Sequence, residues 1–210
     1  MMAPAMLTGL ILAGGQARRM QADLQLAGDR MGAAIDKGLL DLRGEPLVAH
    51  ARRFLLPHVQ TLLISANRNE QAYASYGKVI ADDVTLGSGL GPLAGIERAL
   101  ATARTPWLLV LPVDVVNLPP DLAPALLGAA DALAAPIAYA RTAERAHPLC
   151  MVLHVDMADS LRSYLMAGDR KVQLWQNRNQ AIPVQFQGDD IFFNINTPDD
   201  LRYASQCWKS

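Results

Sequence analysis

Cysteine is nearly absent. The chain holds two in 210 residues, Cys150 inside an apolar run and Cys207 near the end. Thiols so placed suggest neither a disulfide framework nor a zinc site. An excess of one charge is missing as well. The formal net charge is -1, which gives no global reason to expect nucleic acid or an anionic membrane as partner. Any anion site must therefore be built by local placement of arginine and lysine. The opening MMAPAMLTGLILAGG lacks the basic region of a secretory signal, and its apolar run is too short to cross a bilayer. A soluble, cytoplasmic protein is expected. Long linkers, low-complexity tracts and solenoid periods are lacking too, and no serine, cysteine or histidine stands out as a nucleophile.

What is present is a compact composition, 51% hydrophobic and 19% charged, of a length that supports one sizeable core. The chain is organised around its first forty residues. Leu10, Ile11, Leu12 and Ala13 read as a buried strand that stops at Gly14-Gly15, with Arg18 and Arg19 just beyond. Paired glycines let backbone N–H groups turn toward an anion without Cβ interference. Basic side chains past the turn, and Lys37 in Asp36-Lys37-Gly38, can neutralise phosphate oxygens. Paired glycines are also common as plain turns, and two arginines as a solvated face. The stretch is not a Walker A loop, because no Gly-Lys-Ser/Thr closes it, and it is not G-x-G-x-x-G.

Further along, a helix is expected from Gly44-Glu45-Pro46, with Leu47, Val48, Ala51, Phe54 and Leu55 at core spacing. Strands follow at Thr61 to Ser65 and Lys78 to Ala81, the second ending in Asp82-Asp83. A glycine loop from Gly87 feeds a helix from Pro92 to about Arg104, a mild anion site at its N-terminus. Trp107 to Leu111 is a continuous apolar run, as a central parallel strand requires, and it ends in Pro112-Val113-Asp114. An acid just past the carboxyl end of such a strand is where open α/β sheets place their chemistry, although a turn aspartate is nearly as good a reading. A helix then begins near Asp121. The rest reads as strand Ala135 to Ala140, loop Arg141 to Pro148, strand Leu149 to Val155 and a helix over Ala158 to Met166. A helical stretch from Arg170 through Trp175 and short strands at Ile182 to Phe186 and Ile191 to Phe193 follow. Thr197-Pro198-Asp199-Asp200 is a helix start, with threonine as cap, proline first and acids in the first turn. Alternating strands and helices predict an α/β fold: a Rossmann-like, mostly parallel central sheet with helices on both faces, in one domain over 1–210.

The ordered string LAGG, Arg19-Met20, Asp36-Lys37-Gly38-Leu39-Leu40 and Gly44-x-Pro46-Leu47 resembles the start of the molybdenum cofactor guanylyltransferases, the MobA family of nucleotidyltransferases. Gly91-Pro92-Leu93-Ala94-Gly95, Arg145-x-His147-Pro148 and Asn194-Ile195-Asn196-Thr197-Pro198 fit in the right order, so the resemblance covers nearly the whole chain. It implies transfer of GMP from Mg-GTP to molybdopterin or its molybdenum form, with release of pyrophosphate. The implied nucleotide-binding half runs over about 6–118 and the acceptor-binding half over about 119–210. Leu12, Ala13 and Gly14 match the strand end that meets the guanine nucleotide, and Arg19 and Lys37 the basic pair over the phosphates. Asp82 matches an acidic nucleotide-site residue, with Asp83 one register away, and Asp114 the magnesium ligand of a Pro-x-Asp motif. Asn194 and Asn196 lie where the family contacts the pterin. GTP and molybdopterin are the implied partners, with other proteins of molybdenum-cofactor biosynthesis or insertion beyond them, and a monomer is expected.

Two departures stand out. An insert over 21–35 separates Arg19-Met20 from Asp36-Lys37, and it carries a second Arg30-Met31-Gly32, so Arg19 or Arg30 meets the phosphates. Ser65 stands where the family usually has asparagine, and Asn67 is placed to compensate. Neighbouring readings are a cytidylyltransferase for the same pterin, transfer to a sugar or cobinamide phosphate, and a nucleotide- or cofactor-binding protein without catalysis.

Overall fold

The computed structural model describes residues 7–14, 36–87 and 89–207. The chain runs through β1 (Leu7–Leu12), a hairpin of β2 (Asp41–Leu42) and β3 (Glu45–Pro46), α1 (Leu47–Leu55), β4 (Thr61–Ser65), α2 (Glu70–Tyr73), β5 (Lys78–Ile80), α3 (Pro92–Thr102) and β6 (Trp107–Pro112). It continues through β7 (Val115–Val116), α4 (Leu122–Ala132), β8 (Ile137–Arg141), β9 (Ala146–His154), α5 (Ala158–Met166), α6 (Val172–Arg178), β10 (Ile182–Gln185), β11 (Phe193–Asn194) and α7 (Pro198–Cys207).

Seven strands make one sheet in the order β10-β8-β9-β6-β1-β4-β5. β1 pairs in parallel with both β4 and β6, β5 with β4, and β10 with β8; β9 alone runs against its neighbours. Successive side chains of a strand face opposite sides, and the two faces of this sheet are covered by different helices. Ile11, Ile64 and Leu109 pack with Leu47, Val48 and Leu55 of α1 and Leu122 and Leu126 of α4. Leu10, Leu63 and Leu108 pack with Leu93 and Ile96 of α3, Leu161 of α5 and Trp175 of α6. This is the Rossmann-like arrangement expected from the sequence.

From β1 the chain moves outward to β4 and β5 on one side, then returns to place β6 on the other. The reversal opens a crevice beyond the carboxyl ends of β1 and β6, where open α/β sheets bind ligands. Backbone bonds prolong the sheet into that crevice, from Ala13 N to the Ser65 carbonyl at 2.9 Å and from Val113 N to the Leu12 carbonyl at 3.1 Å.

Three local expectations are corrected. The helix expected from Gly44 starts only at Leu47, because Arg43 (φ 59°) and Gly44 (φ 83°) turn a hairpin first. Two positive φ values in succession are what a tight hairpin requires, and the Asp41 carboxylate accepts from Gly44 N at 2.9 Å to close it. Pro46 is then the extended residue that caps α1. The loop expected over Arg141 to Pro148 is confined to four residues, 142–145: Thr142 N donates to the Arg145 carbonyl at 2.9 Å, closing a tight turn, and β9 begins at Ala146. The last short strand is Phe193–Asn194 rather than Ile191 to Phe193, in the register set by its antiparallel pairing with β7.

α3 approaches β4 closely. A Cβ on Gly95 would lie 2.2 Å from Ser65 Oγ and 2.8 Å from Ser65 Cβ. Gly95→Ala is therefore expected to lower unfolding stability by about 1–3 kcal/mol through overpacking. Denaturant midpoints would check this, and adding Ser65→Gly should recover most of the loss.

Candidate active site

Lys37 is the centre of the site. It opens a 3-10 turn (Lys37–Leu39) whose cap is Asp36. The Asp36 carboxylate accepts from Gly38 N at 3.2 Å, from Asn69 Nδ2 at 2.8 Å and from the Tyr73 hydroxyl. Gly38 has a steric reason too, since a Cβ there would come within 2.4 Å of the Tyr73 hydroxyl. The Lys37 side chain, 11% exposed, reaches into the crevice. Its Nζ donates to Asp114 Oδ2 at 2.6 Å and to Asn196 Oδ1 at 2.7 Å.

Asp114 follows β6 at the reversal point of the sheet, and its main chain is pinned from the far end of the sequence. Ile195 N donates to the Asp114 carbonyl at 2.9 Å, continuing the β7–β11 ribbon. Asn196 is held by the start of α7: the Asp200 carboxylate accepts from Asn196 N at 2.9 Å and Thr197 N at 2.8 Å. Thr197 Oγ1 accepts from Asp200 N at 3.1 Å in return, a reciprocal cap. Burial works against the Asp200 charge. The bonds from Asn196 and Thr197, with the charge of Lys37, nevertheless hold the carboxyl below its ordinary range. Asn194 lies outside this cluster of bonds, its Nδ2 donating to the Phe192 carbonyl at 3.5 Å.

At the ends of β4 and β5, Asp82 and Asn67 pair twice: Asn67 Nδ2 donates to Asp82 Oδ2 at 2.7 Å and Asp82 N to Asn67 Oδ1 at 2.9 Å. Asp83 is engaged elsewhere. Its carboxylate accepts from Thr85 Oγ1 and Thr85 N, and Arg162 of α5 bridges it to Glu97. The Thr85 bonds and then Arg162 lower the Asp83 carboxyl to about 2. Ser65 is buried beneath α3, whereas Asn67 is exposed. Leu12, Ala13 and Gly14 lie at the carboxyl end of β1, with Gly14 exposed. Gly15, Arg18, Arg19, Arg30 and the 21–35 insert lie outside the described residues.

Near β11, the His147 ring stacks on Phe192 with centroids 4.5 Å apart, and Arg145 donates to the Phe192 carbonyl at 3.3 Å. Burial, then the Arg145 charge, lowers His147 from 6.5 to about 4. The unfolded chain therefore binds more protons than the folded one between those values, so stability rises with pH across that window. The contribution is complete above pH 6.5 and is lost as pH falls toward 4. Denaturant midpoints at pH 7 and pH 5 should fall more for the natural protein than for His147→Phe, which keeps the ring stack.

Among the described residues no group of three or more His, Cys, Asp or Glu could hold a metal. Among the described residues Asp114 is a single hard carboxylate, 21% exposed, just past the carboxyl end of β6. That donor set suits a divalent ion that takes most of its ligands from water and substrate phosphates, and not one caged by protein.

Asp36, Asn69, Tyr73 and Asp200 order the site but were not singled out for function from sequence. Asp200 had a signal in the acids following Thr197-Pro198. Tyr73 had none, lying in a four-residue helix with no motif around it.

A lysine bonded to an aspartate at the reversal point of a Rossmann-like sheet is an arrangement suited to a nucleotidyltransferase. A family model, the MobA-like NTP transferase domain, matches residues 9–182. The chain is 37% identical over 198 residues to the molybdenum cofactor guanylyltransferase of Shewanella amazonensis, with 94% of each covered. It is 41% identical over 196 residues to that of Yersinia pseudotuberculosis, with 92% of each covered. In fold it is similar to the molybdopterin-guanine dinucleotide biosynthesis protein A of Archaeoglobus fulgidus, with a TM-score of 0.73, 24% identity and coverage of 95% and 97%. A CMP:2-keto-3-deoxy-manno-octonic acid synthetase complexed with CTP gives 0.66, with 16% identity and coverage of 95% and 96%. The chain belongs to the molybdenum cofactor guanylyltransferase family of MobA-like nucleotidyltransferases.

Proposed function

We infer that the protein transfers GMP from GTP to the terminal phosphate of molybdopterin or its molybdenum form. An acceptor phosphate oxygen bonds to the α-phosphorus, the bond to the β-phosphate breaks, and pyrophosphate leaves. The observation that carries this reading is the Lys37–Asp114–Asn196 cluster at the mouth of the crevice, on a chain of this family.

In this reading Leu12, Ala13 and Gly14 receive the nucleotide at the end of β1, with Asp82 and Asn67 bounding its other side. Lys37 turns from Asp114 to the phosphates, joined there by Arg19 or Arg30. Asp114 would hold a magnesium ion. When bound, such an ion would offset the charge that develops on the phosphates during transfer. Asn194 and Asn196 present amides to the pterin. Positioning and electrostatics supply the acceleration, and no covalent intermediate on a side chain is required. Ser65 lies beneath Gly95, so the exposed Asn67 amide is the group at the end of β4 that meets the base. The protein acts in the cytoplasm and as a monomer in this account.

The test is pyrophosphate release with magnesium and molybdopterin, comparing GTP, CTP and ATP. Release with GTP alone is expected. A preference for CTP would move the chain to the cytidylyl reaction with the same residues in the same roles.

A further inference from the structure

We propose that Tyr73 is a positioning residue for nucleotidyl transfer, acting on Lys37 through Asp36. The proposal rests on the role given to Lys37 above. Tyr73 is fully buried, and its hydroxyl donates to Asp36 Oδ1. Asp36 is a buried residue, 8% exposed, and among the described residues no cation is bonded to its carboxylate oxygens. It takes three donors instead, from Tyr73, Asn69 and Gly38. A buried carboxylate held by neutral donors depends on each of them, because losing one leaves charge less compensated in a poorly solvated place. Burial and then the Asp36 bond drive the Tyr73 phenol far above its ordinary value. It therefore remains a donor at every pH at which the enzyme would work.

The geometry gives this network a purpose beyond stability. Asp36 caps the 3-10 turn that Lys37 opens, so the clamp on Asp36 fixes the backbone from which the Lys37 side chain extends. The two side-chain donors, Asn69 and Tyr73, come from the stretch between β4 and β5, Asn69 adopting a left-handed conformation (φ 51°) at the start of α2. Two residues earlier in that stretch, Asn67 holds Asp82. One short segment thus sets the place of Lys37 at the phosphate end and of Asp82 at the nucleoside end of the proposed site. Gly38 completes the fit by leaving room for the phenol.

Tyr73→Phe keeps the ring and removes the donor. A hydrogen bond to a charged group is worth enough for kcat to fall about 10-fold or more, with KM for molybdopterin unchanged. The effect must pass through Lys37, so a double-mutant cycle decides it. In a Lys37→Ala background, adding Tyr73→Phe should weaken GTP binding and residual turnover by less than about 2-fold. Asp36→Asn serves as the second variant, retaining one acceptor oxygen; it should reproduce the loss, and the two together should lose no more than either. Equal losses from Tyr73→Phe in both backgrounds would make the tyrosine merely structural and overturn the proposal while leaving the role of Lys37 intact. Full turnover by Lys37→Ala would overturn both.

Discussion

Lys37→Met is expected to lower turnover by about 10²–10³-fold and, in the absence of nucleotide, to tighten the binding of Mn²⁺. The two effects have one origin. The Lys37 ammonium lies 2.6 Å from Asp114 Oδ2, so a cation of the protein shares the carboxylate that a divalent ion would need. Methionine fills similar space without charge and leaves Asp114 facing the crevice without its cation. Stability should fall when one partner of a largely desolvated pair is removed, and added Mn²⁺ should restore part of it, because a ligand that binds only the folded state stabilises it. Electron paramagnetic resonance of free Mn²⁺, with melting temperatures in and out of the ion, reads both. Unchanged metal affinity in Lys37→Met would show that the lysine does not stand in for the ion.

Asp114→Asn has a comparable effect by a different route. The amide retains an oxygen for Lys37, so the contact between the ends of β6 and α7 persists and the fold should survive. What is lost is the negative charge that holds a divalent ion against the phosphates. Turnover should fall by about 10²–10³-fold or more, and the dependence of rate on magnesium concentration should shift to higher values. In the Lys37→Met background the same change should remove the tightened Mn²⁺ binding. Natural turnover in Asp114→Asn would remove this residue from the metal site.

Features set by local chemistry were legible in the sequence. The apolar runs of β1 and β6 have to be strands covered on both faces, Pro92 has to start a helix, and Thr197-Pro198 has to cap another. Lys37 and Asp114 could each be singled out by type and position. Their pairing could not, because the contact joins residues 77 apart and Lys37 meets Asn196 across 159; no local pattern encodes such distances. Asp82 and Asp83 are equivalent as text. In the fold one faces Asn67 and the other Arg162 of α5, a difference created by helix packing. The β2–β3 hairpin escaped because its turn uses Arg43 at positive φ, where glycine or asparagine is the usual signal. Tyr73 escaped for a related reason: a buried aromatic reads as core, and only its hydroxyl partner gives it another role.

The most direct test of the account is to incubate the purified protein with GTP, magnesium and molybdopterin and to quantify nucleotide-bearing pterin by mass against pyrophosphate. A dinucleotide formed in equal amount to pyrophosphate, and absent with Asp114→Asn, is the result the account predicts. GTP bound by folded protein with neither product formed would contradict it and make the crevice a site that holds a nucleotide without transferring it.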